Sequence, residues 1–234
     1  MGLDHSPLIV SNGLIFFVDA ANTRSYPGSG NTWYDLSGTG KTVTLYNTPT
    51  YTSSNLGGID FDAPSSEYGT FTSPGNLSTF TCEAWIKINT SPSAGTVQAI
   101  ITQSFPGLNT RINYSLGFNG TNGTGSYDGK INGGFWDGSW RLTAGFTPTV
   151  GVWYHTAVTY NGTTIIQYLN GAQQSTLSYA ATPTGSGSSS LIMRRWDTAN
   201  YLDGVLPQLR LYNRALSATE IVQNYNATKK RYGL

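Results

Sequence analysis

Short segments in which every second residue is apolar, separated by glycine-rich turns, constrain this chain more than any other feature. The clearest runs from Phe80 to Ile88, where alternation places five side chains on one face: Phe80, Cys82, Ala84, Ile86 and Ile88. A period of two residues is that of a β-strand, and many such strands at short intervals are typical of antiparallel sandwiches. The sequence therefore predicts an all-β fold of two antiparallel sheets.

Other segments extend this pattern along the chain. Leu14 to Val18 is apolar on both faces, which predicts a central strand. Asn161-Gly162 separates two apolar runs and predicts a type I′ hairpin, and a second turn follows at Asn170-Gly171. Further strands are predicted at residues 112–118, 190–196 and 206–212. This order of strands and turns indicates a meander within one sandwich.

One segment near the carboxyl end has the signals of a helix start. Ser217 is suited to the N-cap, and Glu220 three residues later completes a capping box. Leu216 and Ile221 flank this box as a hydrophobic staple. We expect a single domain over residues 11–225, ending in this short helix. An amino-terminal arm, 1–10, and a basic tail, 226–234, are expected to lie outside the sandwich as straps.

Composition excludes several classes of protein. The chain has 28 glycines, 30 aromatic residues and only 11% charged residues, a poor composition for helical bundles. A net charge of +1 argues against nucleic-acid or anionic membrane partners. The longest apolar run, Gly13 to Val18, is too short to span a bilayer. Cys82 is the single cysteine, so we expect a small core residue and no intrachain disulfide. No secretory signal is recognisable.

Several motifs resemble the laminin-G-like branch of the concanavalin A-like lectin/glucanase family. They follow one another in the family's order: Phe16 to Ala20, Tyr26 to Gly30, Thr32 to Gly38, Phe61-Asp62, Glu67-Tyr68, Ala84 to Lys87, Trp153 to Gly162, Asp203-Gly204 and Arg210 to Ser217. The resemblance implies a two-sheet antiparallel jelly-roll sandwich with one short carboxyl-terminal helix. The opening block and residues 224–234 are also similar to domains in virion proteins of tailed bacteriophages.

The resemblance does not bring the family's hydrolytic residues with it. Related glucanases carry a Glu-x-Asp-x-x-Glu pattern, which sets two carboxylates across the glycosidic bond. This chain has three glutamates, none in that pattern, and two scattered histidines: Glu67, Glu83, Glu220, His5 and His155. Glu83 is expected to form an ordinary charge pair with Lys87. We therefore predict that the protein is not an enzyme; the alternative is a glucanase whose carboxylate pair is assembled from loops outside that pattern.

Calcium is the cofactor that the family resemblance brings into question. Many members hold Ca²⁺ at the rim with loop carboxylates, and the matching positions here are Asp62, Glu67 and Asp203. The chain departs from the family where the last strand usually begins with an acidic pair, because Pro207-Gln208 stands there instead. Solvated loop carboxylates are thus the alternative to a calcium site.

The most lectin-like segment lies around a predicted turn. Trp136 and Trp140 could stack on the apolar face of a sugar ring, with Asp137 and Arg141 beside them. The alternative is that the two tryptophans fill the core or an oligomer contact, because aromatic residues are enriched in both.

Two functions follow from these observations. The first is a structural protein of a phage virion, decorating the capsid or attached to the tail. Capsid or tail proteins would be its partners, and the tail residues Lys229, Lys230, Arg231 and Tyr232 would bind them. The alternative is a carbohydrate-binding module or adhesin, extracellular or at the cell surface, which binds a host glycan with or without calcium. Either could form a homo-oligomer.

Overall fold

A computed structural model describes residues 7–92, 96–103, 112–119, 129–185, 187–195 and 200–234. The strands are β1 Leu14–Asp19, β2 Thr32–Trp33, β3 Val43–Tyr46, β4 Thr50–Thr52, β5 Gly58–Phe61, β6 Tyr68–Thr72, β7 Phe80–Ile88, β8 Val97–Gln103, β9 Ile112–Asn119, β10 Asn132–Trp136, β11 Trp140–Leu142, β12 Trp153–Tyr160, β13 Thr164–Leu169, β14 Ala172–Ser178, β15 Ser189–Ile192 and β16 Gly204–Tyr212. The helix α1 spans Ala218–Thr228, and 3₁₀ turns span Ser54–Leu56 and Lys229–Tyr232.

The strands form two eight-stranded sheets that pack face to face. Sheet A has the order β14-β13-β12-β7-β16-β5-β4, with β1 also paired to β16. Sheet B has the order β11-β10-β9-β8-β15-β6-β3-β2. Every pairing between these strands is antiparallel. The predicted jelly-roll sandwich with one short carboxyl-terminal helix is confirmed.

The core lies between the sheets, where the alternating pattern placed it. The five side chains predicted on one face of β7 all belong to a single buried cluster with residues of sheet B. Cys82 is fully buried within it, and burial raises the pKa of its thiol. Cys82 is therefore a core residue. A thiol that is kept neutral and away from solvent is inert.

β1 is the strand whose position the sequence predicted wrongly. It pairs with β16 along one edge, while a loop meets its other edge: Phe17 N donates to Asp35 Oδ1 (2.9 Å), and Leu36 N donates to Phe17 O (2.7 Å). On its outer face the ring of Phe17 is covered, because the guanidinium of Arg210 lies 4.8 Å from the ring centre. Apolar residues on both faces therefore reflect a covered outer face and not a central position in the sheet.

The two Asn-Gly turns differ in backbone geometry. Asn170 and Gly171 both have positive φ, 50° and 80°, as a type I′ turn requires. At the other turn only Gly162 has a positive φ, and Asn161 Oδ1 accepts from the backbone N–H of Thr164 (2.8 Å). The hairpin between β12 and β13 is present as predicted, but its turn is not type I′.

The carboxyl-terminal helix begins as predicted and ends later. Ser217 is the N-cap and forms the full capping box with Glu220. Leu216 and Ile221 pack in one buried cluster, which confirms the staple. The helix continues to Thr228, three residues beyond the predicted domain boundary, and the 3₁₀ turn follows it directly. No helix in the described part of the chain is long and apolar enough to cross a membrane.

Both ends of the described chain contact the sandwich or its helix, at Val10 and at residues 226–234. At the amino end, residues 1–6 lie outside the described residues, but Val10 is buried and its N–H donates to Asn224 Oδ1 in α1 (2.8 Å). At the carboxyl end, Tyr232 is 6% exposed and stacks on Trp85 of β7, with ring centroids 4.0 Å apart. Arg231 forms an ion pair with Asp19 of β1 (2.8 Å). The predicted strap at residues 226–234 is therefore corrected, because its aromatic and its arginine are used within the domain.

Candidate functional site

The two tryptophans singled out in the sequence meet at the end of sheet B. β10 and β11 form the tryptophan hairpin, residues 132–142, with Trp136 directly opposite Trp140. Directly opposed residues share one face of a sheet, and the two indole rings lie 5.4 Å apart, edge to face. Both side chains are partly exposed. Phe135, on the opposite face, enters the core in their place.

The charged residues of the hairpin occupy a different position from the tryptophans. Arg141 lies opposite Phe135 in the register, so it projects from the face opposite to the tryptophan pair. Arg141 Nε donates to Asp137 Oδ1 (3.1 Å), and its guanidinium lies 4.1 Å from the ring of Tyr179. Tyr179 in turn donates its hydroxyl hydrogen to Asp137 Oδ2 (2.7 Å). The sequence placed the four predicted residues in one group, whereas the structure divides them into an aromatic surface and an ionic brace behind it.

The brace holds opposite charges in fixed positions. Burial opposes ionisation of Asp137, but the hydrogen bonds from Tyr179 and Arg141 outweigh it and lower the pKa of that carboxyl. The same hydrogen bond raises the pKa of Arg141. Both groups are therefore charged at neutral pH, and each compensates the other. Their chemistry is suited to fixing the hairpin and not to proton transfer.

Tyr179 is the residue of this region that sequence analysis missed. It follows β14 and is 42 residues from Asp137 in the sequence, so no local pattern joins the two. The only sequence signal is its place at the end of an alternating run, which indicates a strand neighbour and nothing about its partner.

The three carboxylates predicted to hold calcium each accept a hydrogen bond from a neighbouring group. Glu67 Oε2 accepts from the backbone N–H of Asp62 (2.7 Å), and Asp62 Oδ2 accepts from the hydroxyl of Ser65 (2.6 Å). Asp203 Oδ2 accepts from the hydroxyl of Thr90 (2.9 Å). Burial, with the neighbouring carboxylates, raises the pKa of Glu67. Across the described ranges, no three His, Cys, Asp or Glu side chains are placed to hold a metal ion together. The geometry thus brings Asp62 and Glu67 together without making the three residues a ligand set.

Glu83 lies in a buried ion cluster made of Glu83, His155, Arg210 and Asn224. Its carboxylate accepts from Arg210 Nη1 (2.5 Å), lies 3.0 Å from His155 Nε2, and accepts from Asn224 Nδ2 of α1 (2.7 Å). Burial raises the pKa of Glu83, but Arg210 and His155 outweigh burial and lower it to about 2. The predicted pair with Lys87 is wrong. Residues four apart on a strand are separated by about 13 Å, whereas the strands beside β7 bring Arg210 and His155 into contact.

The sequence of this domain matches a known family over most of its length. Residues 63–222 match the model of the Laminin_G_3 family, described as the concanavalin A-like lectin/glucanases superfamily. The chain belongs to this superfamily. The match covers more than half of the chain, including the tryptophan hairpin and the buried ion cluster except Asn224. No curated protein matches the sequence.

Solved structures share the fold of this superfamily member at low sequence identity. Domain 4 of AbnA, an extracellular GH43 arabinanase from Geobacillus stearothermophilus solved with arabinotriose, is 16% identical with a TM-score of 0.65. The match covers 91% of this chain and 98% of that domain. A botulinum neurotoxin type C structure, from work on cell entry through two ganglioside molecules, is 14% identical with a TM-score of 0.67. The binding domain of Paraclostridial Mosquitocidal Protein 1 is 16% identical with a TM-score of 0.66. These matches cover 94% and 93% of this chain and 52% of each toxin chain, so the chain spans about half of their length.

Proposed function

We propose that this domain binds carbohydrate without hydrolysing it, and that the tryptophan pair is the contact surface. The observation that carries the proposal is the position of Trp136 and Trp140: partly exposed, in edge-to-face contact and on the face away from the core. Indole rings offer a rigid apolar surface with a polar N–H at one edge, which suits the C–H face and the hydroxyls of a pyranose.

Pre-organisation of the hairpin supports the same function. Asp137 is held by Arg141 and Tyr179, so the turn between the two tryptophans is fixed before any ligand arrives. A fixed surface loses less conformational entropy on binding than a mobile one. We assign Asp137, Arg141 and Tyr179 a positioning role and reserve ligand contact for the tryptophans.

The glutamates support a binding function over a glycosidase. All three lie among the described residues, and each is engaged by a neighbour: Glu83 is buried with Arg210, Glu220 pairs with Arg214 (2.5 Å) and Glu67 accepts from the chain at Asp62. A glycosidase needs two carboxyl groups facing each other across a substrate. Because each glutamate is engaged within the fold, the contacts favour binding over hydrolysis by a pair of glutamates.

The neighbouring structures favour carbohydrate binding over a structural role in a phage virion. One neighbour was solved with arabinotriose and another depends on two ganglioside molecules for cell entry, whereas none of the three is a virion protein. We accordingly place the domain outside the cell, where glycans are exposed, and retain a virion location only as a site from which a host glycan could be bound.

A glycan array tests this function. We expect the wild-type protein to bind at least one glycan, and Trp136→Ala and Trp140→Ala each to weaken that binding by about tenfold or more. Tyr34→Ala, which removes an exposed aromatic outside the hairpin, is the matched control and should bind as wild type. Absence of binding by the wild-type chain, or equal binding by the tryptophan variants, would contradict the proposal.

A further inference from the structure

A second aromatic surface lies where the chain crosses from sheet B to sheet A. β3 ends at Tyr46, the turn 47–49 follows, and β4 begins at Thr50. The turn and the loop 28–31 enclose a cleft of about 630 Å³, within the usual size of a small-molecule site. We call it the tyrosine cleft, because Tyr26, Tyr46 and Tyr51 line it.

The tyrosines of the cleft are fixed by contacts with one another and with neighbouring residues. Tyr46 stacks on Tyr68 with ring centroids 4.7 Å apart and planes 7° apart, and Arg194 lies 4.4 Å from the ring of Tyr68. Tyr26 donates its hydroxyl hydrogen to the carbonyl of Gly30 (2.9 Å) and packs against Tyr51, with centroids 5.7 Å apart. Tyr46 and Tyr51 nevertheless remain 40% and 36% exposed. These two rings are thus both held in place and accessible to a ligand.

The backbone of the turn that borders the cleft has two consecutive residues in the left-handed region. Asn47 and Thr48 have φ of 62° and 64°, a left-handed conformation that is unfavourable for a β-branched residue. Asn47 Nδ2 donates to the carbonyl of Ser66 (2.7 Å), which anchors the turn in this conformation. Strain of this kind persists where the surroundings fix it, and it is concentrated at binding sites.

The chemistry of the lining restricts the ligand. Besides the tyrosines it consists of the apolar side chains of Leu45 and Pro49 and of amide, hydroxyl and backbone groups, among them Asn31 and Asn47, and no lining residue carries a charge. Aromatic faces beside amides and hydroxyls are suited to a ligand with both C–H faces and hydroxyl groups. An anionic ligand would find no cation in this lining to compensate its charge.

We propose that the tyrosine cleft is a second saccharide site, separate from the tryptophan hairpin and selective for uncharged sugars. The proposal rests on the proposed function for the class of ligand, but on different residues for the site. Tyr46 and Tyr51 provide the stacking surfaces, and the amide of Asn31 provides hydrogen bonds to ring hydroxyls. Two sites per chain would strengthen attachment to a multivalent glycan surface beyond the affinity of either.

Isothermal titration calorimetry with a neutral glycan chosen from an array, and with arabinotriose and sialyllactose as fixed probes, tests this. The wild-type chain should bind the neutral glycan. Tyr46→Ala and Tyr51→Ala should each weaken the binding at the cleft by about tenfold or more. Ser29→Trp, at an exposed lining position, should block the cleft while leaving the tyrosines in place. Tyr34→Ala is again the matched control, and thermal melting confirms that each variant folds.

The outcomes separate this proposal from the function proposed above. Loss of one neutral-sugar site in the Tyr46 and Ser29 variants, with that site retained in Trp136→Ala while the affinity at the hairpin falls, supports the cleft. Loss only in the tryptophan variants overturns the cleft and leaves the hairpin. Binding of sialyllactose but of no neutral glycan also overturns the cleft, as does the absence of any neutral-glycan binding by the wild-type chain at about 10 mM.

Discussion

Two regions of this domain use the same kinds of side chain for opposite purposes. On sheet A, Trp85 is fully buried between Tyr232, 4.0 Å away, and Tyr225, 5.8 Å away, beside the buried ion cluster. On sheet B, Trp136 and Trp140 contact each other and remain partly exposed, with an ion pair behind them. In both regions, aromatic rings on a face directed away from the core lie near compensated charges, which are on the same face in sheet A and behind the rings in sheet B.

The two regions differ in whether another segment of the chain covers their outward-facing side chains. The helix α1 and the 3₁₀ turn after it lie over sheet A, and Asn224 joins that helix to Glu83. This cover buries the aromatic and charged groups of sheet A, and within it the carboxylate of Glu83 accepts hydrogen bonds from Arg210 and Asn224. The two rings of the tryptophan hairpin remain partly exposed among the described residues, and so the hairpin is suited to binding. Exposure, not residue type, separates the two roles.

The largest expected effect comes from breaking the ion cluster. Glu83→Ala leaves Arg210 charged and buried without its partner, so we expect the free energy of unfolding to fall by about 3–5 kcal/mol. Urea denaturation measures this. Lys87→Ala is the control, since Lys87 is the partner that the sequence suggested, and it should cost less than about 1 kcal/mol. Equal losses in the two variants would contradict the assignment of Arg210 as the partner of Glu83.

Loss of a contact between the covering 3₁₀ turn and sheet A should have the next largest effect on the free energy of unfolding. Tyr232→Ala removes a buried ring from Trp85, and we expect a loss of about 3 kcal/mol in the free energy of unfolding. Tyr34→Ala, at a side chain that is 48% exposed, should change it by less than about 0.5 kcal/mol. If Tyr232→Ala were as neutral as this control, residues 229–234 would not be docked on Trp85, in agreement with a strap at residues 226–234 that lies outside the sandwich.

Acid should weaken the covered region by a smaller amount. The pKa of Glu83 is about 2 in the folded protein and lies below its ordinary value of 4.5, so ionised Glu83 stabilises the fold above about pH 4.5. That contribution is lost as pH falls from about 4.5 to about 2. Melting temperatures across this range should fall less steeply for Glu83→Gln than for wild type. Glu220→Gln provides the comparison, because the pKa of Glu220 is also about 2 but its side chain is 28% exposed. A slope unaffected by Glu83→Gln would contradict this role.

The smallest effect on stability is expected at the tryptophan hairpin. Trp136→Ala and Trp140→Ala break one edge-to-face pair at the surface, so each should lower the free energy of unfolding by about 1 kcal/mol. The same substitutions should weaken glycan binding by about tenfold or more. A loss of several kcal/mol in urea denaturation, as for Glu83→Ala, would mean that the two regions are both structural and that the comparison fails.

Much of the fold was predictable because its signals are local. Alternation along β7 identified the core face, and Ser217 with Glu220 identified the start of the helix, since both patterns act within a few residues. The position of β1 was not predictable, because the apolar outer face of Phe17 is explained by Arg210, far away in the sequence. For the hairpin, the sequence brought Trp136 and Trp140 together but could not show that Arg141 projects from the other face.

The sequence by itself determined which residues form strands, which face of each strand is apolar, and that the domain belongs to a concanavalin A-like superfamily. Only the tertiary structure decided which outward-facing groups are covered. Glu83 meets Arg210 and Asn224 across separations of 127 and 141 residues, and Tyr46 meets Tyr68 across neighbouring strands. Period-two patterning distinguishes inward from outward, but an outward side chain becomes buried or exposed only when a distant segment docks on it or leaves it open. Because burial then decides whether a ring stabilises the fold or meets a ligand, the candidate sites emerged from packing.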